Sequence, residues 1–199
     1  MTFILRDADT LKAARVDSVG RLETHATTRT QAEAQSELGQ AFVLNTEDVQ
    51  ISGDTALMYV KNNNAVLVMH ATFLAMGFGV PSATFAGAMA VDVLRNPDAG
   101  TIISSANTTP IKANQNFGDN NVFSELDSFV GADGETITGG TSLSHFTQPG
   151  SPIGGRLSAG LTWVMPPGST VGIIVRPNLS SGTLDVNVTI VGYLDEPGN

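Results

Sequence analysis

Hydrophobic and polar residues alternate along most of the chain that follows residue 40. The clearest run extends from Leu184 to Ile190, where Leu, Val, Val and Ile are separated by Asp, Asn and Thr. Strict alternation over this length is typical of a β-strand with one buried face and one face in water. Similar runs predict strands at 41–44, 49–52, 56–61, 65–74, 90–95, 101–105, 122–130, 135–138, 156–165 and 170–176.

The segments between these runs are rich in residues that favour turns. Examples are the three asparagines at 62–64 and the Pro-Pro-Gly-Ser sequence at 166–169. We predict a long polar loop at 106–121, and turns rather than strands at 139–142 and 150–152, so that His145 lies in a Gly-rich loop. Eight or more short strands without alternating helices predict an all-β fold, a jelly-roll-like antiparallel β-sandwich.

The first 40 residues follow a different pattern, because they are polar and carry few hydrophobic positions. Arg15–Leu22 has the composition of a small hairpin that turns at Ser18–Gly20. Thr30 and Glu33 have the spacing of a capping box, which predicts a helix of about two turns that ends at Gly39. We therefore divide the chain into an extended N-terminal arm, 1–40, and a β-sandwich domain, 41–199.

Composition narrows the class of protein. Hydrophobic residues make up 41% but aromatic residues only 6%, which predicts an aliphatic core, and the absence of Cys excludes disulfides and thiolate chemistry. The net charge of −9 is uneven: residues 1–30 carry +1, and the rest carry −10. An acidic body argues against nucleic acid as a partner. The basic residues of the arm either bind an acidic surface on a neighbouring subunit or keep the arm solvated.

No membrane segment is expected, since the most apolar stretch, 66–80, is interrupted by polar and Gly residues. Residues 1–9 lack the apolar core of a secretory signal. The sequence therefore predicts a soluble protein.

We find no pattern of catalytic or metal-binding residues. His25, His70 and His145 have no metal-ligand spacing, and Gly-x-Ser-x-Gly does not occur. His70 is expected to be a core or interface residue. Five acidic residues cluster between the predicted strands, and we interpret them as a solvated loop: Asp119, Glu125, Asp127, Asp133 and Glu135. The prediction is a non-enzymatic protein without cofactor or metal.

Several segments resemble virion structural proteins of tailed bacteriophages. The residues that carry the resemblance are Arg21–Thr30, Ala41–Thr46, Leu57–Asn63, Asn96–Thr101 and Met165–Ser169. Each comprises a strand edge with its turn, and none is a catalytic signature. The resemblance is to jelly-roll capsid decoration (cement) proteins and to head or tail fibre-base proteins.

The resemblance implies a location in the virion, most directly on the capsid surface. It also implies a homotrimer that binds the major capsid protein, with neither nucleic acid nor a membrane as a partner. Within that hypothesis we expect the arm to attach through Arg15, Arg21, Leu22 and Arg29. The alternative is a tail or head-fibre module that binds a receptor or a glycan. Trp163, the only Trp, lies in the middle of a predicted strand, so we expect it in the core or an interface.

Overall fold

The structure is a computed structural model that describes residues 5–6, 13–16, 22–23, 30–79, 82, 84–103, 110–119, 123–149 and 154–197. The chain forms two compact units, Met1–Gln31 and Ala32–Asn199.

The N-terminal unit contains three short antiparallel strands: β1 (Leu5–Arg6), β2 (Ala13–Val16) and β3 (Leu22–Glu23). Val16 pairs with Leu22 and Arg15 with Glu23, which confirms the predicted hairpin. Residues 17–21, which include its turn, lie outside the described part of the chain.

Helix α1 (Gln31–Glu37) follows, and Gly39 ends it with a φ of 71°, as the capping pattern predicts. The buried Gln35 donates from Nε2 to Asp195 Oδ1 at 2.8 Å. From Ala32 onward the helix is therefore part of the larger unit, whereas the sequence placed the division after residue 40. A marginal helix gains its stability from this packing.

Thirteen further strands and one turn of 3₁₀ helix, Thr101–Ile103, make up the larger unit as described. The strands are β4 (Ala41–Asn45), β5 (Val49–Ile51), β6 (Thr55–Asn62), β7 (Val68–Phe78), β8 (Thr84–Phe85), β9 (Met89–Arg95), β10 (Ile111–Asn114), β11 (Leu126–Val130), β12 (Thr141–Gln148), β13 (Gly155–Met165), β14 (Thr170–Arg176), β15 (Leu179–Ser181) and β16 (Leu184–Asp195).

Two antiparallel sheets account for most of these strands. The first has the order β10-β4-β16-β7-β13, with β5 also paired to β16, and the second has the order β11-β6-β14-β9-β12. Strands β8 and β15 form a separate pair. The predicted all-β antiparallel sandwich is confirmed. The jelly-roll connectivity stays a prediction, with which the orders β4-β16-β7-β13 and β6-β14-β9-β12 are compatible.

The core is aliphatic and lies between the two sheets. Alternate residues of β16, from Leu184 to Ile190, are buried as the sequence predicts. Strand β6 departs from alternation, because six successive residues, Thr55–Val60, are buried. A second small cluster causes this: Ile102 and Ile137 pack on the outer face of the second sheet against Tyr59 and its neighbours.

Four local predictions are wrong. The expected strand at 101–105 begins as the 3₁₀ turn, since Ile102 is used for packing rather than pairing, and 135–138 forms only a bridge between Thr138 and Ala99. The expected loop at 106–121 contains β10. The residues at 141–148, assigned to turn and loop, form β12, so His145 lies on a strand. Strand β12 escaped detection because it buries no residue fully, and its sequence is mostly polar.

Replacing Leu74 tests the position of the core. Leu74→Ala removes a fully buried side chain, and we expect it to lower the free energy of unfolding by about 2–5 kcal/mol. Leu38→Ala is the matched control, because Leu38 is 67% exposed and should change that free energy by less than about 0.5 kcal/mol. Guanidinium denaturation of both variants provides the measurement, and equal losses would contradict the assignment.

Candidate functional site

The sandwich has two lateral edges, and one of them is closed. Strands β10 and β11 are only 4 and 5 residues long. Lys112 reaches from β10 to donate to the carbonyl oxygens of Leu126 and Phe123, and the Phe42 and Phe123 rings pack edge to face at 5.4 Å. Burial lowers the pKa of Lys112, while Asp127 and Glu125 oppose that shift. This edge is short, charged and bridged by side chains.

The other edge, formed by β12 and β13, is long and uncovered. These strands have 8 and 11 residues, and Met165 is the only buried residue in either. Strand β12 pairs only with β9, and β13 only with β7, among the described strands. We call Thr141–Gln148 together with Gly155–Met165 the open edge. Its outward backbone groups have no partner strand in the described part of the chain.

The hydrophobic core extends to the open edge without being closed there. Phe146, Leu157, Leu161 and Trp163 pack against the core but are only partly buried. Core residues of a sandwich normally lie between the two sheets. These four side chains are partly exposed to solvent at the edge where the sheets end.

Charge is also unusual at the open edge. Neither strand contains an acidic residue, although the protein has 19 of them and a net charge of −9. The charged or titratable side chains of the two strands are Arg156 and His145. This lack of carboxylates can be recognised in the sequence, since no acidic residue occurs between Glu135 and Asp185.

A groove of about 350 Å³ lies at one end of the open edge. Its apolar lining comes from Trp163, Val164 and Leu143, of which Val164 is 59% and Leu143 43% exposed. Arg95 and Thr170 contribute polar groups. Arg95 forms no ion pair with any described residue, so its guanidinium is available at the groove.

Thr170 is held in position by the turn that follows β9. Its backbone N–H donates to Asn96 Oδ1 at 3.1 Å, and its hydroxyl donates to the carbonyl oxygen of Pro97 at 3.0 Å. Asn96 has a φ of 51°, a left-handed conformation that Asn tolerates better than most residues. The polar wall of the groove is therefore preorganised.

A chain of polar side chains on the outer face of the second sheet connects β12 to β9 and β14. Asp92 Oδ1 lies 2.5 Å from His145 Nδ1, and Asp92 Oδ2 accepts from Arg176 Nε at 2.7 Å. Arg176 Nη1 continues the chain to Asp54 at 2.5 Å. Burial raises the pKa of Asp92, but the bonds from His145 and Arg176 outweigh burial, so the net shift is downward.

The same cluster has the order of groups found in hydrolytic triads, because His145 Nε2 lies 3.2 Å from Thr147 Oγ1. The hydroxyl and the imidazole belong to one exposed strand, two residues apart, and neither they nor Asp92 line the groove. We interpret the cluster as a structural clamp that connects β12, β9 and β14.

The predicted arm residues are only partly described. Arg15 lies in β2 opposite Glu23, and Leu22 lies in β3 opposite Val16, so the two strands bring them to one small sheet. Arg21 and Arg29 lie outside the described residues, as does His25.

Two other residues singled out in the sequence, His70 and Asp133, have structural partners. The His70 ring stacks on Tyr193 at 4.8 Å, across β7 and β16. Asp133 accepts hydrogen bonds from the backbone and hydroxyl of Ser52 and from Thr55, so it connects two loops rather than being merely solvated. No group of three or more His, Asp or Glu is placed to hold a metal among the described residues, and no helix there is long and apolar enough to cross a membrane.

Asp92 provides a test of the clamp. Asp92→Asn should lower the free energy of unfolding by about 1 kcal/mol, because it weakens bonds to two partners. Asp54→Asn is the control and should cost less, since Asp54 is 58% exposed and binds only Arg176. Because the folded-state pKa of Asp92 is lowered, its contribution is full above the ordinary value of about 3.9 and is lost as the pH falls through the folded value.

Urea denaturation of the wild type and both variants between neutral pH and pH 2 is the measurement. The difference between wild type and Asp92→Asn should shrink towards zero at the acid end. A difference that is independent of pH would contradict the role of the carboxylate.

Comparison with known proteins adds no relative. No protein-family model matches the chain, and no curated protein matches it significantly.

Proposed function

We propose that this chain is a non-enzymatic structural protein of a tailed bacteriophage, a capsid decoration protein that oligomerises and stabilises the major capsid lattice. The observation that carries the proposal is the open edge, where 19 residues of two strands are covered by no element of the described part of the chain. Surfaces of this kind are expected in proteins that function in contact with neighbours. The N-terminal unit, which is compact by itself, would supply a second attachment point.

Stabilisation of a lattice requires no chemistry. A protein that binds the assembled capsid but not the free capsid subunit lowers the free energy of the assembled state by mass action. Oligomerisation strengthens this effect, because several weak attachments on one particle raise the effective concentration of the others. A homotrimer, as the sequence resemblance implies, would present three N-terminal units and three sandwiches to the capsid.

The charge distribution supports a role for the N-terminal unit in attachment. Residues 1–30 carry a net +1, whereas the rest of the chain carries −10. The proposed anchoring residues are Arg15, Arg21, Leu22 and Arg29. The three arginines favour binding to an acidic surface on the major capsid protein. The acidic sandwich would repel that surface.

Truncation tests this attachment. A variant that lacks residues 1–29 keeps α1, whose Gln35 bonds to Asp195, and should therefore retain the fold of the sandwich. We expect its affinity for undecorated capsids to fall at least tenfold, because each attachment through the N-terminal unit is lost. Sedimentation of the protein with capsids measures the affinity, and circular dichroism checks the fold.

Charge reversal provides a matched comparison. Arg29→Glu should weaken capsid binding, whereas Lys61→Glu makes the same change of charge on the sandwich and should leave binding nearly unchanged. Full occupancy by the truncated protein would rule out attachment through the N-terminal unit. Immunogold labelling of particles locates the protein: label on the capsid faces agrees with the proposal, and label confined to the tail contradicts it.

A second candidate function is favoured by the groove. Trp163 and Arg95 line the same groove, and Arg95 makes no ion pair with the described residues. Sugars bind to proteins through aromatic faces and polar groups in such clefts. The corresponding function is a tail or head-fibre module that binds a receptor glycan. The free guanidinium favours a glycan that carries a carboxylate or a sulfate.

Trp163 reports directly on this candidate, because it is the only Trp in the chain. If the groove binds acidic glycans, titration with an oligouronate should shift the Trp163 emission, and Arg95→Gln should weaken binding about tenfold through the loss of a charged hydrogen bond. A neutral oligosaccharide of the same length is the control. Unchanged emission with both sugars would exclude the glycan function at this groove.

A further inference from the structure

We propose that the open edge is the surface through which a second copy of this chain binds. The inference deepens the proposed function, and it rests on that function for its role in a particle. It concerns one surface, Thr141–Gln148 with Gly155–Met165, and one occupant.

The backbone of the open edge favours pairing with another chain. Strand β13 has 11 residues and so extends about 36 Å, at about 3.3 Å per residue. Natural edge strands of this length are normally protected by Lys, Pro, inward-pointing charges or β-bulges, or by a covering element. Strands β12 and β13 contain no Lys, Pro or carboxylate, and Arg156 is their one permanently charged side chain. Each strand has one register irregularity, between Ser142 and Ser144 in β12 and between Gly160 and Trp163 in β13, and pairing continues on both sides of it.

The opposite edge shows that this sandwich does protect strands elsewhere. Strands β10 and β11 are short, they carry Lys112 and Asp127, and Lys112 spans from one sheet to the other. The contrast within one molecule indicates that the open edge is left uncovered in the single chain because another chain covers it.

Apolar side chains beside the edge also favour binding of a partner. Val164 and Leu143 are largely exposed on β13 and β12, and half-buried core residues lie behind them. On the outer face of the first sheet, Gly160 of β13 is paired with Phe73, which is paired with Val191 and then Val43. Phe73 is 36% exposed, so an apolar row continues from the open edge across the sheet.

The lack of carboxylates at the open edge favours a second copy as the occupant. Two chains that each carry −9 repel one another least where their contact surfaces contain no carboxylate, and β12 and β13 contain none. A partner chosen for opposite charge would instead require a charged surface, which β12 and β13 do not supply. The outward N–H and C=O groups of a strand edge can also bond to an edge strand of an identical chain, which supplies donors and acceptors at the same spacing.

The size of the surface sets the expected strength. The open edge is about 36 Å long and about 10 Å across, because packed sheets lie about 10 Å apart. The resulting area is on the order of half the area that each partner buries in a stable interface. The apolar row on the first sheet therefore has to contribute. We expect association of the free chain in the micromolar range, strengthened where capsid binding brings copies together.

Light scattering during size-exclusion chromatography of the full chain, from about 1 to 200 µM, tests the inference. We expect a mass that rises with concentration above the 20.7 kDa of one chain. Val164→Lys should raise the dissociation constant at least tenfold. Val66→Lys is the matched control, since Val66 is 60% and Val164 59% exposed, but Val66 lies outside the open edge. Ser158→Lys, also at an exposed position of β13, is a second variant that removes no apolar side chain.

Each result decides between surfaces and functions. A chain that stays monomeric at all concentrations overturns the inference, as do Val164→Lys and Ser158→Lys variants that associate like the wild type. Equal loss in Val66→Lys shows non-specific association and also overturns it. A monomer that decorates capsids would overturn the inference and the oligomerisation in the proposed function, but it would leave capsid decoration intact. An oligomer formed through the edge that never binds capsids would contradict the proposed function but not the inference.

Discussion

The pairing of β7 with β16 is the interaction on which the other strands of the first sheet depend. The two strands run antiparallel from Val186 opposite Phe78 to Asp195 opposite Val68, residues more than 100 positions apart in the chain. On β16 one side is taken by β7 and the other by β4 and β5, while β7 also carries β13. The inner faces of both central strands are buried, so their register determines which residues the rest of the sandwich covers.

Polar side chains stabilise this arrangement where strands turn or end. Asn62, which is fully buried, donates to the carbonyl oxygens of Leu67 and Met165 at 2.9 Å and so connects the end of β6 with the end of β13. Gln35 makes a similar connection between α1 and the last strand. Buried polar groups are tolerated only when their bonds are satisfied, and these bonds join segments that are distant in sequence. They give the sandwich a defined frame around a core that is mostly aliphatic.

The unequal lateral edges follow from this frame. At β10 and β11, Lys112 spans the gap and the ring of Phe123 fills it. At β12 and β13 the core residues Phe146 and Trp163 come to the surface half covered. The clamp around Asp92 connects β12 to its neighbours on the outer face of the sheet. An edge that is already ordered in the single chain loses little conformational entropy when a partner binds.

The sequence by itself determined the class of fold, since the alternation in β16, the short apolar run of β14 and the turns around them predict an all-β sandwich. It also predicted the pairing of Val16 with Leu22 and the helix that ends at Gly39, because hairpins and helix ends have local sequence signals, although the stability of that helix comes from packing. It determined the lack of carboxylates between Glu135 and Asp185. Only the tertiary structure decided that the polar segment at 141–148 is a strand, since its pairing partner β9 lies about 50 residues away.

The tertiary structure also decided which edge is left uncovered and which polar groups meet at Asp92, and it joined α1 to the sandwich. These features depend on contacts between residues that are far apart in sequence. Periodicity reports the environment of each residue along its own strand, but it contains no information on which strand lies beside it.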